Sequence, residues 1–343
     1  SASESGTKVL KDMFGAKDFD YPKSVHLVRD CLRAAGLLGS DAVLDYFAGS
    51  GTTGHAVINL NREDGGRRKF ILVEMGDYFD TVLLPRIKKV TFTPEWKDGK
   101  PKRLATPEEA ERSPRIVKVV RLESYEDALN NLETRRSKPQ ERLLSLTDAQ
   151  GADGLKEQYL LRYMLDVETR GSQSLLNVQA FSDPTAYTLK VKRPGSDESR
   201  EVNVDLLETF NWLLGLTVQQ ITAPRSFRAE FERDEEGRLQ LKGRLRQSDD
   251  GPFWFRTVTG TTPEGRKTLV IWRKLTGEPE QDNLVLEEWF KNKQAYSVRD
   301  DEFDLIYVNG DNTLENLRVD PETWKVRLIE EDFHRLMFEG TEA

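Results

Sequence analysis

The sequence predicts an α/β protein: a parallel sheet alternating with helices near the N-terminus, then a C-terminal α+β or α/β region. Three observations predict it. Short apolar runs at residues 42–46 and 70–73 have strand length and alternate with stretches of helical period. A glycine-rich turn separates the first run from the helix after it. The order strand, helix, strand recurs at residues 267–272, 284–291 and 303–308. With 343 residues, 37% hydrophobic and 32% charged, the chain is long enough for two cores and composed like a globular protein.

Taken in order, residues 23–38 place Val25, Leu27, Val28, Leu32, Ala35 and Leu38 at helical spacing behind Pro22. Residues 42–46 (AVLDY) form a strand that runs into the turn at 47–54. Residues 55–60 read as a helix closed by Asn61, residues 64–66 as a turn, and 70–73 (FILV) as a second strand ending at Glu74. Residues 77–90 read as a helix. Residues 91–115 are rich in Pro, Lys and Gly and read as loop, and 136–156 as a second flexible stretch. A helix follows over 155–167, with Tyr159, Leu160, Tyr163 and Met164 on one side. Residues 202–216 read as a strand edge and a helix, and 227–245 as a hairpin turning at 234–237. The expected domains are 1–110, a linker or peripheral segment at 111–156, and 157–343.

Composition removes several function classes. No apolar run is long enough to span a membrane, and the polar start predicts no secretory leader, so a cytoplasmic protein is expected. One cysteine, Cys31, excludes an internal disulfide framework, and three scattered histidines argue against a histidine-built metal site. The net charge of −8 is uneven: residues 276–343 carry −11 and the remainder +3. Residues 86–103 alone carry +5, which makes them a candidate for phosphate contact as well as an ordinary solvated surface. The six tryptophans are too dispersed for a stacking platform and are expected mostly in the core.

The turn VLDYFAGSGTTG (43–54) admits three tests. A phosphate loop needs lysine and a hydroxyl after its last glycine, but His55 and Ala56 stand there. A nucleophile elbow needs glycines two residues either side of Ser50, but Ala48 and Thr52 stand there. A dinucleotide fingerprint is matched by Gly49, Gly51 and Gly54, with Glu74 ending the next strand. Asp45, however, lies where a pyrophosphate would be repelled. S-adenosylmethionine has no phosphate, and its ammonium and sulfonium favour a nearby carboxylate. Asp45 beside its methionine end and Glu74 on its ribose fit that cofactor better than NAD. A glycine-rich turn with no ligand is the plain structural alternative.

DYFAGSGTTGHAV (45–57), with FDYPKSVHLV (19–28) before it and LNREDGGRRKFILVE (60–74) and DYFDTVLLPRIKKV (77–90) after it, resembles the β group of DNA amino-methyltransferases. In particular it is similar to the adenine-specific modification subunit of type III restriction–modification systems, in its C-terminal portion. The resemblance implies a partial S-adenosylmethionine-dependent, Rossmann-like methyltransferase sheet. It implies cofactor contacts from Phe19, Lys23, Ser24, Asp45, Phe47, Ala48, Gly49, Ser50, Gly51, Thr52, Thr53 and Glu74. It implies methyl transfer to adenine N6, with DNA as partner through the complete enzyme.

The same family uses an Asp-Pro-Pro-Tyr-type tetrapeptide to hold the flipped base. None of the 14 prolines here is adjacent to another, and Asp183-Pro-Thr-Ala-Tyr187 and Asp250-Gly-Pro-Phe253 lack the spacing. No catalytic residue and no metal site is therefore assigned to this chain. The expectation is a cofactor half-site, inactive alone, that needs an N-terminal catalytic half. Two alternatives stay open: a non-catalytic assembly module docking a restriction subunit, and an NAD-dependent oxidoreductase.

Overall fold

The computed structural model describes residues 2–15, 19–114, 116–146, 155–162, 164–193, 196, 198–294, 296, 302–314 and 325–338. Tyr163 and Trp324 lie outside them. The architecture is mixed α/β, and the chain divides into two compact units: residues 1–122 with 193–197, and residues 123–192 with 198–343.

In the first unit, α1 (Ala2–Phe14) and α2 (Val25–Ala34) precede β1 (Ala42–Asp45). Ser24 caps α2, its hydroxyl accepting from the Leu27 amide, as a residue with a short oxygen-bearing side chain does at a helix start. After β1 come α3 (Thr52–Asp64) and β2 (Lys69–Leu72). β1 and β2 pair in parallel, with Val43 opposite Phe70 and Asp45 opposite Leu72. A π-turn (Phe79–Leu83) then runs into α4 (Leu84–Phe92).

α3 is buried almost all round, including Ala56, Val57, Ile58 and Leu60, which is the composition of a central helix rather than a surface one. Ile58 packs with Met13 and Val90, and Leu83 and Ile87 close on Ala48. α2 lies on α3, where Arg29 and Arg33 both pair with Glu63. The expected loop at 91–115 contains a small hairpin, β3 (Trp96–Lys97) with β4 (Lys100–Pro101), and α5 (Pro107–Glu111).

In the second unit, short helices α6 (Tyr125–Asn130), α7 (Lys138–Leu144), α8 (Leu155–Arg162) and α9 (Met164–Glu168) precede the pair β5 (Thr188–Lys192) and β6 (Ser199–Asn203). The main body holds α10 (Leu206–Leu213), β7 (Thr217–Ile221), β8 (Arg225–Arg228) and the hairpin β9 (Phe231–Arg233) with β10 (Leu239–Leu241). It continues through β11 (Arg246–Gln247), β12 (Phe253–Thr261), β13 (Lys267–Arg273), α11 (Pro279–Glu288), β14 (Leu305–Val308), β15 (Val326–Leu328) and α12 (Ile329–Phe338).

Among the described residues, seven strands form one sheet, ordered β11-β8-β12-β13-β14-β15 with β7 also on β12. β13 and β14 are parallel with α11 between them, the βαβ unit expected from sequence. β13 reads as a continuous apolar run because both of its faces are covered. Leu269 and Ile271 join Trp289 and Phe290 on one side, and Val270 and Trp272 join Phe210 and Phe333 on the other. Buried Arg273 ties the strand ends to α11, donating to the carbonyls of Asn309 (3.1 Å), Asp282 (2.9 Å) and Asp311 (2.9 Å). Trp272 and Trp289 are core residues, whereas Trp212 is exposed.

Candidate cofactor-binding site

The site is built where β1 turns into α3, with the end of β2 alongside. Gly51 has φ +78° and is the residue from which α3 starts. A side chain there would be strained by the backbone and would also press on Leu83. Gly54 is needed for a different reason. A Cβ on it would lie 2.7 Å from Ile87 Cδ1 and 3.0 Å from Leu72 Cδ1, so the bare backbone lets the helix sit on α4 and β2.

Two carboxylates hold the turn. Glu74 Oε2 accepts from the Gly49 amide at 2.8 Å, and its Oε1 accepts from the amides of Met75 and Gly76, each at 2.9 Å. Partial burial alone would raise the Glu74 pKa. The amides of Gly76 and Gly49, the Tyr78 hydroxyl and the Met75 amide outweigh it and hold the pKa below the ordinary carboxylate value. Asp45 Oδ2 accepts from the Thr53 hydroxyl at 2.6 Å, and its Oδ1 from the Phe47 amide at 3.2 Å.

Aromatic rings stand beside these acids. The Phe19 ring lies beside Gly49 and meets Tyr78 edge-on at 5.0 Å. Phe47 is 79% exposed. Phe19, Asp45, Phe47, Gly49, Thr53 and Glu74 thus gather at the strand ends. Ser50 and Thr52 are buried and face inward, and Ala48 is packed beneath the turn. Lys23 reaches the turn through its carbonyl, which lies 3.5 Å from the Thr52 hydroxyl, and Ser24 serves α2.

Two residues at the turn were not singled out from sequence. Tyr78 supports Glu74 through its hydroxyl and meets the Phe19 ring edge-on. Arg86 is fully buried behind the turn and donates to Ser50 and Thr52. Arg86 had a signal in the sequence: Val82, Leu83, Arg86, Ile87 and Val90 share one helical face, so it belongs to the buried side of α4.

Three of the six other basic residues at 86–103 are engaged within the fold. Lys89 sits over the Trp96 ring at 3.9 Å, Arg103 pairs with Glu95 and Glu109, and Lys102 pairs with Glu95. Among the described residues no group of three or more His, Cys, Asp or Glu side chains is placed to hold a metal ion. No helix there is long and apolar enough to cross a membrane.

The first unit thus presents a parallel strand–glycine turn–helix–strand unit with an acid at the end of each strand. Residues 2–83 match the N6/N4 methyltransferase family model, described as DNA methylase. The chain is 47% identical over 72 residues to the Mod subunit of the type III restriction–modification enzyme StyLTI of Salmonella typhimurium (strain LT2). It is 44% identical over 73 residues to the EcoPI Mod subunit of Escherichia phage P1, and at the same level to the type II methyltransferase M.KpnI of Klebsiella pneumoniae. Each match covers 21% of this chain, but only 11%, 11% and 17% of the respective relatives. The chain therefore aligns with about a tenth of the length of the Mod subunits it resembles.

Proposed function

We propose that the first unit is the S-adenosylmethionine half-site of a site-specific DNA methyltransferase acting on adenine N6, and that this chain does not methylate alone. The observation that carries the reading is the pair of carboxylates at the turn. Asp45 ends β1 and Glu74 follows the end of the neighbouring parallel strand β2, and both carboxylates lie against the glycine turn and the start of α3. Such a pair suits a ligand carrying an ammonium, a sulfonium and ribose hydroxyls, and disfavours a pyrophosphate.

The residues fit that cofactor. Glu74, held ionised, would accept from the ribose hydroxyls; Asp45 would face the methionine end; Phe19 and Phe47 offer ring faces to the adenine. When bound, S-adenosylmethionine supplies a methyl group from its sulfonium to the N6 lone pair, N6 losing a proton. This chain's share of that reaction is to bind and orient the methyl donor.

The half-site character rests on the outer face of the β1–β2 pair. Parallel sheets are covered on both faces. Here Val43, Asp45, Phe70 and Leu72 turn toward the helices. Leu44 and Ile71 on the other face are 52% and 51% exposed, and Tyr46 and Val73 beyond the strands are exposed as well. The uncovered face suits further polypeptide carrying the base-binding tetrapeptide. The likeness to Mod subunits extends the proposal to DNA as substrate and to a restriction subunit as partner, with the second unit as its docking part.

Calorimetric titration with S-adenosylmethionine tests the reading. Binding that Asp45→Ala abolishes supports it, and absence of binding at millimolar ligand overturns the cofactor assignment. Incubation with cofactor and duplex DNA is expected to give no methylation; robust turnover by the purified chain overturns the half-site reading.

A further inference from the structure

Arg86 is an anomaly in the core of the first unit. Its side chain is fully buried, yet no carboxylate forms an ion pair with it among the described residues. Burial alone lowers its pKa to about 9. All of its hydrogen bonds go to the glycine turn and the first turn of α3. Nη1 donates to the Ser50 carbonyl at 3.2 Å, to the Ser50 hydroxyl at 2.8 Å and to the Thr52 hydroxyl at 3.0 Å. Nε donates to His55 Nδ1 at 3.4 Å. Nη2 is buried with no hydrogen-bond partner in the structure.

A buried cation with no counter-charge and an idle donor is a poor device for stability. Exchanging even a buried ion pair for apolar groups of similar volume is commonly neutral or stabilising, and an unpaired buried cation lacks the Coulombic attraction that offsets desolvation in such a pair. Its bonds, in contrast, fix the residues between Gly49, whose amide is aimed at Glu74, and Thr53, whose hydroxyl is aimed at Asp45. The rigid guanidinium plane, anchored through Nε on His55 Nδ1, fixes the place from which Nη1 donates to two hydroxyls and a carbonyl; an ammonium on a flexible stem has donors but lacks that second anchor.

We infer that Arg86 is a positioning residue for the methyl donor: without touching the ligand, it clamps Ser50 and Thr52 from behind and thereby sets the shape of the turn that receives S-adenosylmethionine. The inference rests on the cofactor reading above. It assigns Ser50 and Thr52 to holding the turn rather than to direct ligand contact. It also separates two properties that a purely structural residue would lose together, namely the stability of the fold and the order of the turn.

The decisive variant is Arg86→Met, which keeps the apolar stem and removes every donor. The expected result is a melting temperature equal to or above that of the native chain. Amide exchange at Gly49, Ser50, Gly51 and Thr52 should be at least tenfold faster in the ligand-free protein, with Val57 to Leu60 in α3 unchanged. S-adenosylmethionine should bind at least tenfold more weakly. Arg86→Lys, which can still donate to the two hydroxyls, should fall between the native chain and Arg86→Met.

Native exchange rates in the turn together with native affinity in Arg86→Met overturn the inference. A fall in melting temperature with exchange raised throughout α3 also overturns it, because Arg86 is then a core residue only. If Arg86→Met does not fold, Thr52→Val decides: faster exchange confined to the turn supports the clamp, and unchanged exchange removes it. If the native chain itself binds no S-adenosylmethionine, the cofactor reading fails, while the exchange measurement still decides whether Arg86 orders the turn.

Discussion

His55 ends the first turn of α3, and its ring is buried against Arg86. Burial first, and then the positive charges of Arg86 and Arg62, push its pKa well below the ordinary histidine value of 6.5. The neutral ring leaves Nδ1 free to accept from Arg86 Nε. In the unfolded chain the same imidazole takes up a proton near 6.5, so the unfolded state binds more protons below that value. Stability therefore rises with pH up to the ordinary histidine range and falls as pH drops below it. Chemical denaturation of the first unit should lose stability on acidification from pH 7 toward pH 5, and His55→Asn should flatten that slope. At this scale the sequence placed Asp45 and Glu74 at the ends of the two strands, and there their carboxylates accept from the Thr53 hydroxyl and the Gly49 amide. Tyr78 and Arg86 were not legible as site residues, for a physical reason. Their roles are to support another residue through space, and a charged letter in a basic run looks solvated until its helical face is counted.

Elements were legible wherever one period dominated. The strands at 42–46 and 70–73 and the parallel βαβ unit ending at Val308 lie where apolar runs and turns place them. The helix after the glycine turn is longer than its apolar stretch suggests. It starts at Thr52, because Gly51 supplies the left-handed residue that lets the helix begin at once, and it ends at Asp64 before Gly65. The helix expected over 77–90 is divided into a π-turn and α4 with Pro85 at its start, and apolar periodicity does not register that change of winding. Short elements inside expected loops were missed for want of apolar residues, although Thr106 with Glu109 and Ser137 with Gln140 carry capping-box signatures. The close contact of α3 with α4 and β2 at Gly54 yields a prediction. Gly54→Ala gains helix propensity of about 1 kcal/mol. It also drives a methyl group into Ile87 and Leu72, an overpacking that costs about 1–3 kcal/mol. A net loss of roughly 1 kcal/mol should appear as a lower denaturation midpoint. Ile87→Val removes the Cδ1 atom that the new methyl meets, so the double variant should be more stable than the sum of the single losses allows.

On the scale of the molecule, the two units differ in how they satisfy their sheets. The seven-stranded sheet of the second unit is packed on both faces; β14 is buried throughout, and β13 is buried from Thr268 to Arg273. The two-stranded sheet of the first unit is packed on one face only, and its strands pair only with each other among the described residues. This asymmetry could not be read from the strand sequences, since both strands are simply apolar. It emerges only when the register puts Leu44 beside Ile71. Open strand edges with exposed apolar side chains are templates for further polypeptide. Leu44→Lys together with Ile71→Lys tests this directly. Both side chains are already half exposed, so the doubly substituted chain should keep its melting temperature and its S-adenosylmethionine affinity, and should resist aggregation better. Mixed with a polypeptide that supplies the Asp-Pro-Pro-Tyr-type motif and restores methylation to the native chain, the variant should restore far less, because two ammonium groups would have to be buried at the joint. Full restoration by the variant would place the joint on another surface. Loss of the fold on substitution would show that this face is already covered within the chain itself.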